Sequence, residues 1–403
     1  MHKYSSKAAT IRFYCGCCWS ALACFGNSCQ PPCPGASPTG TPPSTNNCVE
    51  VAPSTNNGQT FGALVNAAVC PNSGGGACFL DQEHIAADRI NAGGRGADRV
   101  YTAIRNCQGG CGTSGAFVTC SPDSGATWAP LFTLEMSSDF PRVAVGRDGF
   151  FYVVYELGGN IRLDKFNACT TSAAQMTRAA GGFPVPVSAF TSFAGCEVAN
   201  GFGGLDRCND GNTLSGPTVT VDDTNGNHVY VAWANNTAAN NDNILVADST
   251  NGGVNWRAPV TISANVTTRR YHPWACSTGG NAFVGWYDRR AATAGNNDLT
   301  DYFTASAGLS GGNLVPNNDE FKISTNSDAQ CNLWPRGVRS MFDSENCSVQ
   351  PQLAGFCKLT PIPNPDTSSN TRCDFTGPDA TVCPFNPAGT ETCQLGNFGQ
   401  AVK

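Results

Sequence analysis

Several short stretches of the chain gather side chains able to act on a polar ligand. Asp81 and Glu83 stand beside His84, Asp139 closely precedes Arg142, and Tyr271, His272 and Trp274 fall within four residues. Acids, a guanidinium and aromatic faces at one mouth suit a sugar, because carboxylates exchange hydrogen bonds with hydroxyls while rings cover the apolar faces. Hydrolysis of a glycosidic bond needs such a set, with a proton donor and a nucleophile or base. Farther on, Trp286-Tyr287-Asp288-Arg289-Arg290 offers Asp288, Arg289 and Arg290 as ligand contacts, since guanidinium groups pair bidentately with carboxylates. Each group also has a structural reading. Asp81 and Glu83 suit strand-end hydrogen bonds to turn amides, His272 suits packing beside Trp274, and Asp288 suits an ion pair with a neighbouring Arg.

These residues must be positioned by strands. Gly occurs 45 times and Met only 4, a composition that disfavours long helices. β-branched and aromatic runs recur instead: Arg142–Val145 then Phe150–Tyr155, Thr218–Val221 then His228–Trp233, and Ala282–Tyr287. The connecting pieces Gly146–Gly149, Asp222–Asn227 and Ser277–Asn281 are rich in residues that tolerate tight turns, so each pair reads as an antiparallel hairpin. The fold class expected is all-β.

One octapeptide recurs. Ser121-Pro122-Asp123-Ser124-Gly125-Ala126-Thr127-Trp128 is matched by Ser249-Thr250-Asn251-Gly252-Gly253-Val254-Asn255-Trp256, and by Ser54-Thr55-Asn56-Asn57-Gly58-Gln59-Thr60-Phe61. The second interval between these starts is close to twice the first, the mark of a repeat with one degenerate unit. In such a turn Asp or Asn accepts backbone N–H bonds, Gly125, Gly253 or Gly58 takes the left-handed position, and Trp128, Trp256 or Phe61 packs between sheets.

This pattern resembles the Asp-box, or BNR repeat, and residues 49–357 resemble the sialidase-like β-propeller superfamily. The resemblance implies four-stranded antiparallel blades, six of them by family. Inner strands are expected to open near Asp81, Asp139, Ser215, Tyr271 and Ser348. The stretch after Ser348 lacks a Val-Tyr-Val-Ala-Trp partner, so the propeller is expected to be incomplete at its C-terminal end. The blade closed by the box at Ser54 is expected to draw its other strands from the far end of the chain. A propeller binds ligands where its inner strands converge. Sialidase-like sites use a Tyr nucleophile assisted by Glu, an Asp acid and three Arg, so the resemblance makes Asp81, Glu83, Tyr271 and Arg142 the catalytic candidates. Asp139, His272, Trp274, Asp288, Arg289 and Arg290 are then ligand contacts. The Arg-Ile-Pro signature of sialidases is absent; Arg89-Ile90-Asn91 lacks the Pro and follows the first box. The expectation is therefore a propeller that recognises carbohydrate or protein without turnover, with an exo-α-sialidase as the alternative.

Composition bounds the surroundings. With 24 Lys and Arg against 30 Asp and Glu in 403 residues, and no basic block, nucleic acid is excluded as a partner. The 22 Cys suit an oxidising compartment, and spacing suggests Cys70–Cys78, Cys107–Cys111 and Cys331–Cys347 as close pairs. No metal or cofactor is expected. Asp223-Thr224-Asn225-Gly226-Asn227 has calcium-like oxygen spacing, but a hairpin turn accounts for it. Lys3, Lys7 and Arg12 before the apolar run Phe13–Phe25 make residues 1–24 an expected export signal, ending Ala21-Leu22-Ala23-Cys24, which is cut after Ala23 or, as the alternative, carries a lipid on Cys24 that would tether the protein to a membrane. Residues 25–48 read as a Pro, Ser and Thr-rich linker, 49–357 as the propeller and 358–403 as a Cys and Pro-rich tail or cut-off blade. Such a protein is expected outside the cell or on a bacterial surface.

Overall fold

The computed structural model describes residues 12–15, 48–53, 60–69, 78–88, 99–108, 113–191, 216–238, 241–291, 299–324, 328–329, 358–363 and 369–374. Among these residues every regular element is a strand.

A three-stranded sheet comes first, formed by β1 (Arg12–Cys15), β2 (Cys48–Ala52) and β3 (Val65–Val69) in that order. Its outer strand is supplied from upstream, from within the segment read as an export signal. The strands expected from the far end are not in it: β22 (Lys358–Pro363) and β23 (Ser369–Asp374) pair only with each other. An exposed β2 edge takes whichever extended segment reaches its free N–H and C=O groups, and here that is Arg12–Cys15, in register with Val49–Ala52.

Four antiparallel sheets of meander type follow. Blade I contains β4 (Cys78–Ala87), β5 (Val100–Gln108), β6 (Thr113–Ser121) and β7 (Phe132–Met136); blade II contains β8 (Asp139–Val145), β9 (Phe151–Leu157), β10 (Asn160–Phe166) and β11 (Val185–Ala189). Blade III contains β12 (Thr218–Val221), β13 (Val229–Ala238), β14 (Asn241–Ser249) and β15 (Val260–Thr261). Blade IV contains β16 (Arg270–Thr278), β17 (Asn281–Asp288), β18 (Leu299–Ser310) and β19 (Asn313–Pro316), with β20 (Phe321–Lys322) and β21 (Asp328–Ala329) also on β18. The first strands β4, β8, β12 and β16 abut in sequence order. That is the arrangement of consecutive propeller blades around an axis, incomplete among the described residues.

Packing between blades explains why the second strands do not alternate. In β9, Phe151, Val153 and Tyr155 join the core shared with blade I, while Tyr152 and Val154 join the core shared with blade III. In β13, Val229, Val231 and Trp233 face blade II and Tyr230, Ala232 and Ala234 face blade IV. A strand covered on both faces reads as a continuous apolar run. Tyr101 of blade I stacks on Phe151 of blade II at 4.7 Å between ring centroids, and the Cys120–Cys169 disulfide joins the same two blades. This pairing was not among those suggested by spacing, and the suggested partners lie at positions whose side chains are outside the description.

Two octapeptide turns have the same hydrogen bonds. The Ser121 hydroxyl donates to Asp123 Oδ1 at 2.8 Å and accepts from Gly125 N at 2.7 Å, while Asp123 Oδ1 accepts from Thr127 N at 2.8 Å. In blade III, Ser249 donates to Asn251 at 2.9 Å and accepts from Gly253 N at 2.9 Å, and Asn251 Oδ1 accepts from Asn255 N at 2.9 Å. The indoles of Trp128 and Trp256 close each turn on the carbonyls of Gly125 and Gly253 at 3.2 and 3.0 Å. Both glycines are left-handed, with φ of 91° and 90°. Of the third copy, Ser54, Asn56 and Gly58 lie outside the described residues, and Phe61 is half-buried.

Candidate functional site

The inner strands share a local distortion. Register slips between Asp81 and His84 in β4, between Asp139 and Arg142 in β8, and between Tyr271 and Trp274 in β16. Within each slip one non-glycine residue is left-handed: Gln82 at φ 57°, Phe140 at φ 50° and His272 at φ 48°. Such conformations are uncommon for these residue types and cluster where a structure re-aims a side chain. Hydrogen bonds tie the first two bulges together. Gln82 Oε1 accepts from Phe140 N at 2.9 Å, and His84 Nδ1 accepts from Val143 N at 3.0 Å. A ring nitrogen that accepts there leaves the proton of neutral His84 on Nε2.

His84 and Trp274 meet across the cluster, their ring centroids 5.0 Å apart and their planes at 49°. Arg105 of β5 pairs with Asp139 at 3.0 Å. Arg142 donates to the Pro141 carbonyl at 3.0 Å, and its charge reaches both imidazoles. Burial, reinforced by Arg142, holds His84 well below the usual histidine range and His272 down to about 3. Both rings are therefore neutral at physiological pH. Glu156 of β9 lies opposite Asp139 in the β8–β9 ladder. Burial first, then the charge of Asp139, pushes its carboxyl well above the usual range.

The expected site residues divide between this cluster and the core. Asp81 lies in β4 opposite Arg105 in the ladder, and Glu83, Asp139, Arg142, His272 and Trp274 stand at the bulges. Tyr271 has no solvent exposure and stacks on Tyr287 at 5.4 Å, inside the core between blades III and IV. Asp288 is equally buried and accepts from Arg270 Nε at 3.0 Å and from Arg290 Nη2 at 2.6 Å. Arg290 also pairs with Glu320 at 2.6 Å and lies over the Phe303 ring. Arg289 is buried and donates its backbone N–H to the Arg269 carbonyl at 3.0 Å. Arg270 also donates to the carbonyls of Asp242 at 2.7 Å and Ala264 at 2.8 Å, which ties this cluster to the end of blade III. Among the described residues no group of acids, His and Cys is assembled as for a metal ion. In the Asp223–Asn227 stretch, the Asp223 carbonyl accepts from Arg147 at 2.8 Å.

Arg105, Glu156, Gln82 and Phe140 escaped the sequence reading. Phe140-Pro141 and His272-Pro273 share a residue-Pro step at the bulge, the one local signal available. Glu156 has none, because it ends the apolar run of β9 like any strand-terminal polar residue.

No protein-family model matches this chain, and no curated protein matches it. Among solved structures, the NanB sialidase from Streptococcus pneumoniae is similar at 8% identity and a TM-score of 0.40, with 69% of this chain and 56% of that chain covered. For the intramolecular trans-sialidase from Ruminococcus gnavus the identity is 10% and the TM-score 0.42, over 70% of this chain and 79% of that one. For the GH43 BlXynB protein from Bacillus licheniformis the identity is 13% and the TM-score 0.35, over 67% and 50%. The chain thus spans about half the length of the first and third of these proteins.

Proposed function

We propose that this chain is an exported Asp-box propeller of the sialidase-like kind that recognises a carbohydrate at its axial cluster and does not hydrolyse it. The observation that carries the reading is the joining of His84, Arg142 and Trp274, from three different blades, by bulged inner strands: an indole face, a cation and polar ring nitrogens together suit a sugar. Binding without turnover is supported by the burial of Tyr271 in the core and by the engagement of Asp288 and Arg290 with each other. The 22 Cys and the Cys120–Cys169 disulfide support an oxidising, extracellular setting. A protein ligand is the second occupant this surface would take.

The test is paired. Purified protein is applied to a printed panel of sialylated and neutral oligosaccharides, and separately incubated with a fluorogenic sialoside. Glycan binding without fluorophore release is expected. Release that disappears in Arg142→Ala and Tyr271→Phe variants of intact fold would replace this reading with that of a sialidase-type hydrolase. A panel without binders, alongside capture of a defined protein, would move the ligand class.

A further inference from the structure

Glu156 is the residue of the cluster whose chemistry is left over. It is 3% exposed, and neither carboxyl oxygen has a hydrogen-bond partner. Buried polar atoms are almost always paired, so an unpaired buried carboxyl marks a place where something else completes the hydrogen bonding. The charged and titratable groups around it are Asp139 and Arg142 on β8, with Arg105 of β5 on Asp139 and with His84 of β4 and His272 of β16 near Arg142. Arg105 already pairs with Asp139. An ionised Glu156 would set a second negative charge beside Asp139, which the charge of Arg142 offsets only in part, and burying such a charge is costly. The neutral acid avoids that cost, and it carries one O–H donor that finds no acceptor among the described residues.

We propose that Glu156 is a ligand-contact residue of the axial cluster, present as the carboxylic acid and donating its O–H to an acceptor oxygen of a bound sugar. This rests on the axial cluster being the ligand site. It adds a donor to a set otherwise made of cations and rings, and it selects ligands with a hydroxyl, ring or carboxylate oxygen turned toward β9. Proton and ligand are then linked: ionisation of Glu156 removes the donor and turns it into an acceptor facing an acceptor, so binding weakens as pH rises.

Two measurements test this on the whole protein. In the absence of ligand, the side-chain carboxyl carbons of glutamate are labelled and titrated by NMR, with Glu156→Gln identifying the resonance. Glu156 is expected to keep its proton at a pH where the exposed glutamates of the same sample have lost theirs; a Glu156 that ionises together with them overturns the proposal. The oligosaccharide bound most strongly on the panel is then titrated into wild type, Glu156→Gln, Glu156→Leu and Trp274→Ala. Glutamine keeps a donor and should bind like wild type wherever Glu156 is still protonated while losing the weakening at higher pH, whereas leucine should lose about tenfold in affinity. Equal affinity of the leucine and glutamine variants overturns the role of Glu156. If Trp274→Ala abolishes binding in that case, the axial site itself stands. If no oligosaccharide binds, the axial reading falls and this proposal falls with it.

Discussion

The imidazole of His84 lies 5.0 Å from the indole of Trp274, although one belongs to the opening of blade I and the other to the opening of blade IV. No local sequence relationship links them; the succession of blades brings them together. Trp274 is half-buried, so part of it is open to solvent. Trp274→Ala should therefore weaken glycan binding by tenfold or more, about 2 kcal/mol for a central aromatic contact, with little change in the melting of the remaining blades. Calorimetric titration checks this, and unchanged affinity would remove Trp274 from the site.

His272 predicts an acid limb of stability. The unfolded ring titrates near 6.5 and the folded one near 3, because burial and then Arg142 oppose the imidazolium. Between these values the unfolded chain binds a proton that the folded chain refuses, so stability is complete above about pH 6.5 and declines on acidification toward pH 3. The slope reaches about 1.4 kcal/mol per pH unit for one such group. His272→Asn, which tolerates the left-handed backbone, should flatten the decline in urea midpoints. An unaltered slope would assign the acid limb to other groups, His84 first.

Asp123 predicts the opposite origin for part of the same limb. Burial alone would raise its carboxyl, but hydrogen bonds from Thr127 and Ser121 outweigh that and hold it below the usual range. A depressed carboxyl contributes stability above its unfolded pKa and loses it as pH falls through the folded value. Blade III uses Asn251 at the equivalent place, so Asp123→Asn should cost only about 0.5 kcal/mol at neutral pH and should converge on wild type in acid. Asp123→Ala should cost about 1 kcal/mol or more, because turn amides lose their acceptor. Denaturation curves at two pH values separate these outcomes.

Asp288 should behave as structure. Removing it in Asp288→Ala leaves Arg270 buried without its carboxylate, a loss of about 3–5 kcal/mol. Thermal melting should show the loss, while any glycan affinity measured below the melting range stays near wild type. Selective loss of binding with unchanged melting would return Asp288 to the ligand site.

Cys120 and Cys169 close a loop with a sequence separation of 49, for which chain entropy gives about 4 kcal/mol. The double variant Cys120→Ala, Cys169→Ala should unfold at correspondingly lower denaturant than wild type when both are kept without reducing agent. Identical curves would show that the bridge adds nothing to the packing of blades I and II.

Much of the framework is readable before folding. The octapeptides at Ser121 and Ser249 encode their turns within eight residues, since Ser, Asp or Asn, Gly and Trp satisfy one another locally. Hairpins such as Thr218–Val221 with Val229–Trp233 follow from β-branched runs around an Asp, Asn and Gly turn for the same reason. The site obeys a different rule. Left-handed Gln82, Phe140 and His272 go against the preferences of their own residue types, and only the convergence of neighbouring inner strands holds them there. The burial of Tyr271, the absorption of Arg290 by Asp288 and Glu320, the stranded carboxyl of Glu156 and the Cys120–Cys169 bridge likewise depend on which blade faces which. Local propensity wrote the blades; what stands where they meet was decided by packing between segments far apart in the chain, whose spacing carries no record of the contact.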